Sequence, residues 1–246
     1  MGELADRDLQ RLRGNLVAAG RLTAQMVLQA TDALLDWKVD SFEAAIAGEQ
    51  EIRQLHAALD HDVEAFIGTH EAMGDRLRVA LTVLHLNRSV ERAAHNAVRV
   101  AYLATPPPHR ALVEEAVIAD ALRAMGERGA EMVRTAIDTF ERRDVNALLL
   151  LQHLDELVDR ENEKVAETAL ELGAGDFELR QWATRMLFAG RWLERVGDHA
   201  VNIAERVTAM GPAPGSSLAA GRHAAEGERW DSNPRPPGPQ PGATTS

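Results

Sequence analysis

Residues 84 to 101 and 187 to 204 carry the same amino acids in the same order often enough to constrain the whole fold. Leu84 matches Leu187, Arg88 matches Arg191, Glu91 matches Glu194, Arg92 matches Arg195, Ala97 matches Ala200, Val98 matches Val201 and Ala101 matches Ala204. The apolar positions between them also correspond, Val90 to Leu193 and Val100 to Ile203. A tandem duplication accounts for this register more simply than chance likeness between two alanine-rich helices. Whatever unit the chain is built from, it is built from it twice.

The period of the apolar residues says what that unit is. Leu179, Met186, Leu193, Ala200 and Val207 recur every seven residues, with Trp182, Ala189, Val196, Ile203 and Met210 in a second row. Those are the two core rows of a helix bundle. Leu9, Leu12, Leu16, Ala19, Met26, Ala30, Ala33 and Trp37 mark one face of another helix. Laid out between breakers, the pattern predicts six helices: from about Asp8 to Trp37, from Asp40 to Ile67 with Asp40-Ser41 as its N-cap, from Gly74 to Ala104, from His109 to Glu141, from Asp144 to Leu172 before Gly173-Ala174-Gly175, and from Asp176 to Met210. The run Pro106-Pro107-Pro108 lacks backbone donors, so no helix crosses it, and it reads as the hinge between halves.

The expected fold is therefore all-α, a tandem repeat of two antiparallel three-helix bundles spanning residues 1–105 and 106–210. Residues 211–246 are rich in Gly, Pro and Ser without apolar period and are expected to form a disordered tail. Within it, Trp230-Asp231-Ser232-Asn233-Pro234-Arg235 reads like a translation of the antisense strand of a transfer-RNA TψC arm. The tail is accordingly expected to be dispensable.

Charge and composition exclude several functions. With 27 Lys and Arg against 38 Asp and Glu, the net charge of -11 repels nucleic acid unless the basic groups cluster. The chain has no cysteine, so disulfides, thiolate zinc sites, iron-sulfur clusters and a cysteine nucleophile are ruled out. The N-terminal residues lack the pattern of a secretory signal, and no stretch approaches the ~20 apolar residues of a membrane span. The expectation is a cytoplasmic protein that meets a membrane only through a partner.

The residues with chemistry lie near the repeat. Glu194 and Asp198 are four apart, so on a helix they point within roughly 40° of each other and can share one cation. Asp155, Asp159 and Glu163 repeat that spacing on the preceding helix. Two antiparallel neighbours can thus gather five carboxylates, a donor set for Mg, Mn, Fe or Ca, with His199 and Asn202 as auxiliary ligands. The competing reading is a solvated acidic face with Arg160, Arg191 or Arg195 as ion-pair partners. Gly197 costs about 1 kcal/mol relative to alanine inside a helix, which close approach of another group to the backbone would explain. No Glu-x-x-His, glycine-rich phosphate loop, G-x-S-x-G or H-E-x-x-H occurs, so the motifs of the common di-metal oxidases, nucleotide-binding enzymes and hydrolases are missing.

The run from Leu193 to Glu205, with Glu194-Arg195-Val196-Gly197-Asp198 at its centre, resembles the signature of the PhoU family, in which each three-helix repeat carries an E(D)xxxD motif. The resemblance implies a two-repeat helical protein, often a homodimer. It implies a negative regulator of phosphate uptake and of the phosphate-starvation response, acting with the ATPase subunit of the phosphate ABC transporter and with a sensor histidine kinase. It also implies metal ions, drawn from Fe, Mg, Mn or Zn, at the E(D)xxxD clusters, and no enzymatic activity. The first repeat departs from the motif. His95 stands where Asp198 does, Arg53 where Asp159 does, and Glu49 where Asp155 does. A guanidinium opposes a cation there, so Glu49, Glu91 and His95 are expected to form a weak site or none, at most a single Zn or Fe. The alternative functions left by the residues are a carboxylate-bridged metalloenzyme and a helical scaffold unrelated to phosphate.

Overall fold

The computed structural model describes residues 2–106, 113–144, 146–173 and 177–211. They form six helices: α1 Gly2–Asp36, α2 Val39–His70, α3 Gly74–Tyr102, α4 Val113–Arg142, α5 Ala147–Gly173 and α6 Phe177–Met210. No strand occurs among the described residues. Each half is an antiparallel triplet: α1 packs on α2 and α3, and α4 on α5 and α6. Every residue in both seven-residue rows of α6 is buried, which is what the spacing requires if the rows face the bundle axis.

The halves also pack on each other, α1 against α4 and α3 against α6, so that residues 1–211 form one compact unit. Glycines make the first of these contacts. A Cβ on Gly20 of α1 would collide with the side chain of Ile137 on α4, and a Cβ on Gly126 of α4 would collide with Thr31 on α1. In the register that pairs Glu49 with Asp155, Gly20 corresponds to Gly126 and Thr31 to Ile137. The two contacts are therefore one contact made twice, and α1 and α4 run antiparallel about an internal two-fold relation. The same relation appears in the turns: Trp37 and Arg143 occupy equivalent places and both have φ 52°, a left-handed conformation uncommon for side chains of that size. Polar links support the packing. Arg143, only 7% exposed, makes a bidentate pair with Asp75 at the start of α3, 3.0 and 3.1 Å, and Arg123 reaches Asp36 at 2.8 Å.

Several helix ends differ from the sequence expectation. α1 begins at Gly2 rather than Asp8 because its first charged residues lie on the solvent side and hold neighbouring elements: Asp6 pairs with Arg76 and Asp8 with His70, both at 2.9 Å, while Ala5 and Leu9 are buried. Asp40 does not cap α2. Lys38 occupies the cap without a side-chain hydrogen bond, and Asp40 lies in the first turn, where a negative charge still favours the helix dipole. α3 ends at Tyr102, two residues before the expected Ala104. The proposed start of α4 at His109, Pro107-Pro108, Ala174-Gly175 and the tail beyond Gly211 lie outside the described residues. No helix among the described residues is long and apolar enough to cross a membrane.

Candidate functional site

α5 and α6 lie antiparallel, and two α6 glycines set how closely. Gly190 faces Asn162, whose side chain occupies the space a Cβ would need. One heptad on, a Cβ at Gly197 would lie 2.9 Å from Oδ1 of Asp155 and 3.3 Å from the Met132 methyl. The close approach inferred from a glycine inside a helix is thus made by the carboxylate of Asp155. Its Oδ1 is buried and makes no hydrogen bond. A buried oxygen without a donor is costly, and burial pushes the Asp155 carboxyl up to about 6, helped by the negative charges of Asp159, Asp198 and Glu194. Asp159 is raised for the same reasons, with Glu163 adding to the repulsion and Arg191 opposing it.

The structure therefore brings Asp155, Asp159, Glu194 and Asp198 within electrostatic reach of one another on the α5–α6 face, with Glu163 at its exposed margin. Their oxygens do not converge on one point. No three Asp, Glu or His side chains among the described residues are arranged to hold an ion together. Glu194 turns to the Asn162 amide, which donates to it, and to the Arg191 guanidinium. Asn162 is a participant the sequence reading missed; it stands where His56 stands in the first repeat, and that equivalence was the available signal. Of the other arginines considered as partners, Arg160 pairs with Glu156 at 3.6 Å and Arg195 lies over the Trp192 ring, 4.9 Å from its centroid.

Carboxylates at this density, one of them buried without a donor and seated in a space cleared by a glycine, are hard donors of the kind a divalent cation takes. Asp155, Asp159, Glu194 and Asp198 are the candidate ligands, and they would have to turn toward a common point to hold it.

The first repeat is arranged otherwise. His95 Nδ1 lies 2.9 Å from Glu49, and Arg53 reaches the same carboxylate at 3.2 Å. Glu91 faces His56 at 3.7 Å, and His56 also lies 3.6 Å from Asp60. Glu49, Glu91 and His95 line one pocket with Arg53, but Glu91 and His95 belong to separate pairs. Ala94 stands where Gly197 does in the second repeat, so the space that admits Asp155 is filled by a methyl group. Between the two sites runs a groove of about 500 Å³ where α3 meets α6, lined by Arg92, His95, Asn96, Arg195, His199, Asp155 and Asp198. Burial holds the His199 imidazole below its usual range; Asp198 opposes that shift, and Arg92 and Arg195 add to it.

A duplicated three-helix protein with a carboxylate cluster on its outer face is the class these features define. The sequence profile of the PhoU domain matches residues 16–104 and 122–207, once in each half, and the chain belongs to the PhoU family. It is 27% identical over 205 residues to the phosphate-specific transport system accessory protein PhoU homolog of Pseudomonas aeruginosa, covering 81% of this chain and 82% of the relative. It is 22% identical over 201 residues to the Escherichia coli K12 accessory protein PhoU, covering 80% and 81%. The crystal structure of PhoU from Pseudomonas aeruginosa superposes with a TM-score of 0.75 at 25% identity, covering 83% of this chain and 97% of that one. The phosphate transport system regulatory protein PhoU from Streptococcus pneumoniae shares the fold, with a TM-score of 0.74 at 20% identity over 84% and 96% of the chains.

Proposed function

We propose that this chain is an accessory regulator of phosphate transport that restrains uptake and the phosphate-starvation response by binding, without catalysing a reaction. The observation that carries the reading is the PhoU-domain match in both halves of the chain, taken with relatives of similar length named as accessory proteins of phosphate transport. In this reading the protein acts in the cytoplasm, as a homodimer, between the ATPase subunit of the phosphate ABC transporter and its sensor histidine kinase. To regulate, it must bind one state of the kinase better than the other, because a partner with equal affinity for both shifts nothing. A divalent cation at Asp155, Asp159, Glu194 and Asp198 supplies the positive charge that the first repeat carries in Arg53. The first repeat then needs no metal, and Glu49, Glu91 and His95 serve as ion-pair partners.

Deleting the gene is expected to make phosphate-starvation genes constitutive in phosphate-rich medium. Unchanged expression would overturn the reading. Tagged protein from phosphate-replete cells is expected to retain the transporter ATPase or the kinase, and recovery of neither after mild crosslinking would remove the adaptor role.

A further inference from the structure

The duplication that places Glu91 and Glu194 in the two sites also places Arg92 and Arg195 in one groove, one from α3 and one from α6. In a chain with eleven more acidic than basic residues, neither guanidinium has a carboxylate within ion-pair distance among the described residues, although Asp155, Asp198 and Glu205 line the same groove. Arg195 is held by Trp192, which has the guanidinium of Arg99 4.4 Å from its ring centroid as well. Stacking of this kind fixes the plane of a guanidinium and leaves its N–H edge free to donate. Asn96 supplies an independent sign of a ligand. It is only 6% exposed, and its amide, which makes no hydrogen bond among the described residues, opens onto the groove and is not sealed in the core.

We propose that this groove binds a phosphate oxyanion beside the cation of the α5–α6 carboxylates, with Arg92, Arg195 and the Asn96 amide as the protein's own donors. The inference rests on the cation reading above and names a ligand for the same face. Fork-shaped guanidinium donors suit tetrahedral oxyanions, and a groove of about 500 Å³ admits one with its hydration water. The charges set the order of binding. Three carboxylates and two guanidiniums line the groove, so an anion arriving alone meets net repulsion, and a divalent cation reverses the sign. Phosphate is therefore held only after the cation, and the protein reads the two ions together. Free phosphate is the favoured source because the relatives are named for its transport.

Equilibrium dialysis of the full chain against radiolabelled inorganic phosphate, with and without Mn²⁺, tests this, with bound Mn²⁺ followed separately by electron paramagnetic resonance. Phosphate is expected to be retained only when Mn²⁺ is present. The double variant Arg92→Gln, Arg195→Gln, both of whose sites are on the surface, is expected to keep Mn²⁺ binding and its circular dichroism while losing phosphate affinity at least tenfold; Asn96→Asp is expected to lose it as well. Mn²⁺ binding with no phosphate retention, or equal retention by the arginine variant, overturns the proposal and leaves the cation reading standing. Phosphate bound equally well without Mn²⁺ overturns the order of binding. Failure to bind Mn²⁺ overturns the cation reading itself. Stronger retention of a phosphoserine peptide than of the free ion would overturn the assignment to free phosphate.

Discussion

The Cβ that Gly197 lacks would lie 2.9 Å from Oδ1 of Asp155. Replacing Gly197 by alanine sets two effects against each other. The helix gains about 1 kcal/mol in propensity, while the methyl group displaces the end of a short side chain that can rotate away. Stability is expected to change by less than about 1 kcal/mol, but Asp155 leaves its seat, and Mn²⁺ affinity is expected to fall at least tenfold. Urea melts and Mn²⁺ titration of the Gly197→Ala variant measure both quantities. Unchanged affinity would mean that Asp155 is not a ligand.

Burial and neighbouring negative charges raise the Asp155 carboxyl to about 6, whereas an unfolded chain holds it near about 3.9. Between those values the native protein binds more protons than the unfolded one, so this group's contribution to stability falls as pH rises from about 4 to about 6 and is constant above. Asp155→Asn removes the penalty. With chelator present, the variant is expected to gain about 1 kcal/mol over the natural protein at pH 7 and nothing at pH 4, a figure kept small because solvent screens a half-buried group. Cation affinity runs the opposite way, rising with pH through about 6 as the carboxylate ionises. Urea melts of both proteins at pH 4, 5, 6 and 7 give the difference directly, and a gap independent of pH would contradict the assigned shift.

The contact between halves depends on Gly20 and Gly126. Ile137 is fully buried, and Thr31 is fixed by donating to the Val27 carbonyl at 2.8 Å, so neither has room to yield to an added Cβ. Overpacking typically costs about 1 to 3 kcal/mol, more than the helix gains from alanine. Gly20→Ala and Gly126→Ala are each expected to destabilise by about 1 to 2 kcal/mol, and by similar amounts because the contacts are equivalent. Denaturant midpoints test this; stabilisation by either variant would show that α1 and α4 separate without cost.

Most of the fold was legible because it follows from period. The rows through Leu193 and Val196 are buried as spaced, and the likeness of residues 84–101 to 187–204 exposed the duplication. The acidic pattern of Asp155, Asp159, Glu194 and Asp198 was legible for the same reason, since spacing of four defines one helix face. What escaped depends on contacts between helices distant in sequence. Nothing local marks Asn162 as the partner of Glu194 or Gly20 as the seat of Ile137. The early start of α1 escaped because Asp6 and Asp8 look like a polar lead-in until Arg76 and His70 are brought beside them.

The first repeat offers the sharpest test of what makes the second a cation site. Glu49 and Glu91 are already in place, but His95 and Arg53 replace two of the acids, and Ala94 fills the seat that Gly197 leaves open. Arg53 holds Glu49 at 3.2 Å and brings the charge that a metal would bring. Arg53→Asp with His95→Asp restores four carboxylates, and Ala94→Gly opens the space beside them. The triple variant is expected to bind one more Mn²⁺ per chain than the natural protein, whereas the pair without Ala94→Gly is expected to bind it at least tenfold more weakly. The glycine itself costs about 1 kcal/mol of helix stability, and the new acids repel until the ion arrives, so the triple variant is expected to melt lower than the natural protein in chelator and to recover on adding Mn²⁺. Metal stoichiometry by elemental analysis, with melting curves at both conditions, decides it. A triple variant that gains no ion would show that the cation site needs more than its four carboxylates and the glycine between them.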